Sequence, residues 1–168
     1  MNLPKIILVP TDFGDASDCA VEYGVTLAKA LEAEVVLLHA FEIPVIGFPD
    51  GAMIATVDMT NQILAGARAG MEKITRRYEG TGVSFRSLVE QGDPWHTVLE
   101  TAEKVGAELI VMGTHGRKGL PRALLGSVAE KVVRSAHIPV LTIHTGDIPL
   151  AAEPRRTPLT EPIPASRH

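Results

Sequence analysis

The sequence predicts an α/β fold built on a five-stranded parallel sheet. Three observations carry this reading. Short continuous apolar runs rich in Val, Ile and Leu recur along the chain. Longer helical patterns separate them, and Pro or Gly punctuates many of the junctions. Such runs mark strands buried on both faces. Strands alternating with helices pair in parallel through right-handed crossovers.

Each element follows in order. The first run is Ile6-Ile7-Leu8-Val9, closed by Pro10. A helix is predicted over residues 16–31, capped by Asp15 or Ser17, with Ala20, Leu27 and Leu31 among its core positions. The second strand is Val35 to Ala40. Residues 42–53 hold prolines and glycines and are predicted as a loop. Residues 54–79 place Ile63, Ala67, Met71, Ile74 and Tyr78 at spacings near four, the rhythm of a helix face. Val83, Phe85 and Leu88 belong to a third strand whose alternation with polar residues puts it at a sheet edge. Pro94 opens a helix that runs to Val105, at a position where its missing N–H costs little. The fourth strand, Leu109-Ile110-Val111-Met112, stops at Gly113. The last helix runs from about Ser127 to Ala136 on Val128, Val132 and Val133, and the fifth strand, Val140 to Ile143, follows Pro139. From Thr145 the pattern ends. Five prolines occur among the last 22 residues, and residues 145–168 are predicted as an extended or disordered tail.

The bulk properties exclude several classes. A length of 168 residues suits one domain with a full core. The net charge is −4 and Lys and Arg form no long run, so no phosphate-backbone footprint is present and nucleic acid is not expected as a partner. The first residues carry no basic segment followed by an apolar signal core, and no apolar run is long enough to span a bilayer. The chain reads as a soluble, cytoplasmic protein without a membrane role. Cys19 is the sole cysteine, which rules out an intrachain disulfide and suits a small, buried or half-buried apolar side chain.

Parallel sheets bind ligands at the carboxyl ends of strands where the strand order reverses. Two strand ends have fitting composition. Pro10-Thr11-Asp12-Phe13-Gly14-Asp15 follows strand one, and Gly113-Thr114-His115-Gly116-Arg117-Lys118-Gly119 follows strand four. In the second loop, glycines let backbone N–H groups approach a ligand closely. The loop then feeds a helix start at Gly126-Ser127, where unpaired N–H groups and a partial positive charge suit a phosphate. Arg117, Lys118 and Arg122 add cationic charge. Two plainer readings stand beside this one. Ser127 and Glu130 have capping-box spacing, and the glycines serve equally as turn residues. Neither the P-loop nor the dinucleotide glycine fingerprint is present. No Ser-His-Asp, Cys-His or metal-ligand spacing is found. His39 ends a buried strand and is given a structural role, and Trp95 a packing role.

Gly113-x-x-Gly116, nine residues, then Gly126-Ser127 resembles the ATP-binding signature of the universal stress protein family. Ile7-Leu8-Val9-Pro10-Thr11-Asp12-Phe13 resembles that family's opening strand, and Ser135 to Leu141 its closing passage. The likeness covers residues 1–144. It implies a Rossmann-like sheet of order 3-2-1-4-5 with helices on both faces, and a homodimer formed partly through Val140–Ile143. It implies ATP as ligand, with Mg or Mn arriving on the nucleotide. Pro10, Thr11 and Asp12 would line the adenosine side, Ala40 would contact adenine, and Met112 and Gly113 would lie beneath the ribose. Gly116, Arg117, Gly126, Ser127 and Val128 would surround the phosphates, with His115 also able to approach them. The expected function is a nucleotide-dependent regulatory module rather than an enzyme. The alternative is a slow ATPase, for which only Asp12 or His115 could orient the water that hydrolysis needs.

Overall fold

The computed structural model describes residues 3–43, 46–48, 51–53, 57–114 and 125–144. A five-stranded sheet runs through the centre. Its strands are β1 (Ile6–Pro10), β2 (Glu34–Phe41), β5 (Ser84–Gln91), β6 (Leu109–Gly113) and β7 (Val140–Ile143). They lie in the order β5-β2-β1-β6-β7, and all four pairings are parallel. In strand-number terms this is the order 3-2-1-4-5. The helices are α1 (Asp15–Leu31), α2 (Val57–Arg77), α3 (Pro94–Val105) and α4 (Ser127–Ser135).

Each apolar run splits its side chains between the two faces, because successive residues in a strand point opposite ways. Ile7, Val9, Val35, Leu37 and Val111 pack beneath Ala20, Val21, Val25, Met71 and Ile74 of α1 and α2. Leu8, Val36, Leu38, Ile110 and Met112 pack beneath Val98, Ala102, Ala129 and Val132 of α3 and α4. Each such fully buried Val, Leu or Ile contributes roughly 1.5–3 kcal/mol relative to exposure. Cys19 is half-buried against the first face and Trp95 against the second, as packing residues should be.

Three expectations are corrected. Residues 46–48 and 51–53 are not loop: they form a short antiparallel hairpin of β3 (Ile46–Phe48) and β4 (Gly51–Met53). The cap of α1 is Gly14, with Asp15 already inside the helix. The cap of α4 is Gly126, with Ser127 already inside the helix and no capping side chain among the described residues, so Ser127 and Glu130 do not form a capping box. The predicted tail, residues 145–168, lies outside the described residues. No helix among the described residues is long and apolar enough to cross a membrane.

Candidate functional site

Between β1 and β6 the strand order reverses: β2 lies on one side of β1 and β6 on the other. The helices that follow these two strands, α1 and α4, pack on opposite faces of the sheet, which opens a crevice there. A cleft of about 220 Å³ occupies it.

The β1 wall is Pro10, Thr11 and Asp12. Its geometry is fixed by short local bonds. Asp12 Oδ1 accepts from the Gly14 N–H at 3.0 Å and from Ser17 Oγ at 2.8 Å. Thr11 Oγ1 accepts from the Phe13 N–H at 3.0 Å and lies 3.1 Å from Ser17 Oγ. The Thr11 carbonyl lies 2.8 Å from His39 Nδ1. A carbonyl only accepts, so that imidazole nitrogen carries the proton. His39 thereby has the structural role expected of it.

These bonds support a strained residue. Phe13 has φ of 63°, a left-handed backbone that is unusual for a bulky side chain. Its ring packs against His39 with centroids 4.3 Å apart and the planes tilted by 32°. It also presses on α2 at Gly70, where an added Cβ would come within 2.7 Å of the ring.

The floor is apolar, made by Leu38, Ala40, Val98 and Met112. The β6 wall is Gly113 and Thr114. Gly113 is needed here for a reason other than the one the sequence suggested. A Cβ on it would lie 2.6 Å from the Ala16 carbonyl carbon and 2.9 Å from the Ser17 nitrogen. The missing side chain lets β6 close against α1.

Thr114 is fully buried and ties three segments together. Its N–H donates to the Ile143 carbonyl at 3.0 Å, and its own carbonyl accepts from the Gly126 N–H. Its Oγ1 lies 2.8 Å from His144 Nδ1.

The rim is Gly126, Ser127, Val128 and Ala129, the start of α4. The first N–H groups of a helix have no partner within it, and no side chain among the described residues caps these. The arrangement joins an apolar slot, suited to a planar ring, with a polar wall and a helix N-terminus suited to an anion. Among the described residues, no group of three or more His, Cys, Asp or Glu is placed to hold a metal ion.

The structure thus brings Pro10, Thr11, Asp12, Ala40, Met112, Gly113, Gly126, Ser127 and Val128 into one cleft. His115, Gly116 and Arg117 lie outside the described residues. Sequence reasoning missed Ser17, Leu38, Pro94, Val98, Thr114 and Ala129. Ser17 was available as a hydroxyl one helical turn past Asp12, and Thr114 as the residue directly after a strand-ending glycine.

Comparison with known proteins decides the family. The universal stress protein family model matches residues 4–144. The chain belongs to the universal stress protein family. Universal stress protein MJ0531 of Methanocaldococcus jannaschii is 37% identical over 145 residues, covering 84% of this chain and 83% of that protein. Universal stress protein MJ0577 of the same organism is 31% identical over 153 residues, covering 83% of this chain and 94% of the relative. The solved structure of MJ0577 matches with a TM-score of 0.70 at 27% identity, over 83% of this chain and 95% of that one. A further universal stress protein, solved in complex with cAMP, matches with a TM-score of 0.63 at 26% identity, over 84% of this chain and 98% of that one. In this universal stress protein, the family's parallel sheet carries the cleft at its switch point.

Proposed function

We propose that the cleft binds ATP and that the protein is a nucleotide-dependent regulatory module with its folded unit in residues 1–144. One observation carries the reading: a helix start that no side chain among the described residues caps opens onto an apolar slot at the switch point. The family member solved with cAMP adds support for an adenine nucleotide.

Pro10, Thr11 and Asp12 would line the adenosine side, and Ala40 would meet adenine through its backbone. Met112 and Gly113 would sit beneath the ribose. Ser127 and Val128 would hold phosphate oxygens through N–H groups, with Gly126, whose own N–H is held by the Thr114 carbonyl, beside the phosphates, joined by His115, Gly116 and Arg117. Bound magnesium or manganese would arrive with the nucleotide and keep several waters. A homodimer would pair the β7 edges of two copies, which removes an exposed edge. The protein would work in the cytoplasm. The ATPase alternative gains nothing from Asp12, whose Oδ1 is engaged by Gly14 and Ser17 in shaping the turn.

The test is direct. The protein is purified under native conditions, any bound small molecule is released, and it is identified by mass. ATP, or ADP that accumulates with time, separates the regulatory from the hydrolytic reading. Recovery of no nucleotide, with none bound on adding ATP back, would sink both.

A further inference from the structure

On the face opposite α1 and α2, a groove of about 550 Å³ runs between α3 and the end of α4, where Ser135, Ala136, His137 and Ile138 form its other wall. Trp95, Leu99, Ile110 and Ile138 give it an apolar lining. Its charges are ordered along its length. At the Trp95 end, Lys131 of α4 sits with Nζ 5.4 Å from the indole centroid. One to two turns further along α3 come the exposed carboxylates of Glu100 and Glu103. Glu100 also faces His96 Nε2 at 3.6 Å. With Lys131 beside its Trp95 mouth and Glu100 and Glu103 along its length, the groove runs from a positive to a doubly negative group over an apolar floor, with His96 and His137 also in its lining.

The sequence beyond His144 contains Glu153-Pro154-Arg155-Arg156-Thr157-Pro158-Leu159. This is the complementary order: one negative charge, two positive, then an apolar residue, with prolines between. Proline-rich segments dock on aromatic-lined grooves because their extended form costs little entropy to hold.

The spacings agree. Trp95 to Glu100 is five helical residues, about 7.5 Å at 1.5 Å each. Glu153 to Arg155 and Arg156 is two or three extended residues, about 6–9 Å at 3.1 Å each. Trp95 to Gly106, where the groove ends, is roughly 16 Å on the helix rise. Glu153 to Leu159 is roughly 19 Å extended. The nine residues from His144 to Glu153 give the segment a reach of up to about 30 Å from the end of β7.

We infer that residues 153–159 of this chain dock along the α3–α4 groove, with Glu153 facing Lys131, Arg155 and Arg156 facing Glu100 and Glu103, and Leu159 entering the apolar end. The proposal goes beyond nucleotide binding and does not depend on it. Docking within one chain needs only modest contact energy, because the tether keeps the local concentration high.

Trp95 is the only tryptophan in the sequence, so its fluorescence reads the groove directly. The experiment measures acrylamide quenching of Trp95 in the full-length chain and in three full-length variants. These are Arg155→Glu with Arg156→Glu, Glu100→Arg with Glu103→Arg, and all four together. Each double reversal is expected to lower the docked-to-undocked ratio by about tenfold, raising the quenching constant. The quadruple variant restores the pairing with signs exchanged and should recover protection, which a general disturbance of the fold would not do. Unchanged quenching in the double variants, or no recovery in the quadruple, overturns the proposal. So does protection that falls on dilution, which would put a second copy in the groove. Protection released by saturating ATP would place the segment at the nucleotide cleft and overturns it equally.

Discussion

Gly113 and Thr114 show how much two adjacent residues settle. A Cβ at position 113 would meet α1 backbone at 2.6 Å, and backbone cannot swing aside as a long side chain can. Gly113→Ala should destabilise the fold by about 1–3 kcal/mol, the usual cost of overpacking. Denaturant midpoints measured without ligand check this, and an unchanged midpoint would show that the seam has slack. Thr114→Val keeps shape and removes the hydroxyl facing His144. Its expected cost is about 1–2 kcal/mol. The Cys19 thiol behaves differently. Burial first, then Glu22, Asp18 and Asp15, push its pKa up. A raised acid pKa favours the neutral thiol in the native state. The stability it lends is full below the unfolded-state value, about 8.5, and is lost as pH rises through the folded one. Alkylation of Cys19 by iodoacetamide should therefore lag behind a free thiol between pH 7 and about 9. A rate matching the free thiol would contradict this.

The elements differ in how visibly the chain announces them. The strands of the central sheet were plain, because a run such as Val35 to Leu38 must be buried on both faces. The helix caps were not. Side-chain patterns pointed to Asp15, Ser17 and Ser127, whereas the chain uses Gly14 and Gly126. Asp12 and Ser17 instead bond each other across the turn, a pairing five residues apart that no cap motif describes. The hairpin of β3 and β4 was hidden by the same glycines and prolines that suggested a loop. The cleft was half legible: glycine spacing and Pro10-Thr11-Asp12 marked its walls. Its floor residues Leu38 and Val98 looked like ordinary core. Two tests belong here. Gly126→Val adds bulk at the start of α4 and should weaken ATP binding at least about tenfold, read by calorimetry, without loss of fold. In β7, the Pro139 and Ile143 carbonyls face β6, so Thr142 presents its N–H outward. Thr142→Pro removes that outward donor and should shift the proposed dimer to monomer in sedimentation, with the β6 pairing kept.

For the whole molecule, the proposed ligand and the fold are linked by mass action. A ligand bound only by the native state at about 100 times its Kd adds about 2.7 kcal/mol. For a domain of this size that raises Tm by roughly 5–11 °C. A thermal scan with saturating ATP should show such a rise, and a smaller one with Gly126→Val. No rise with the native sequence would remove the cleft from consideration as a nucleotide site.

The contact between Gly113 and Ala16 also bears on how a ligand gets in. The two walls of the cleft grow from β1 and β6, which are hydrogen-bonded neighbours, and α1 is wedged against the end of β6. Jaws so joined are tied at their base. A molecule must slip in past the rim, and the empty and filled forms should share one distance between β1 and β6. For the proposed nucleotide, selectivity at the base end would then work like a fixed gauge, and discrimination by phosphate number would fall to the groups around the phosphates.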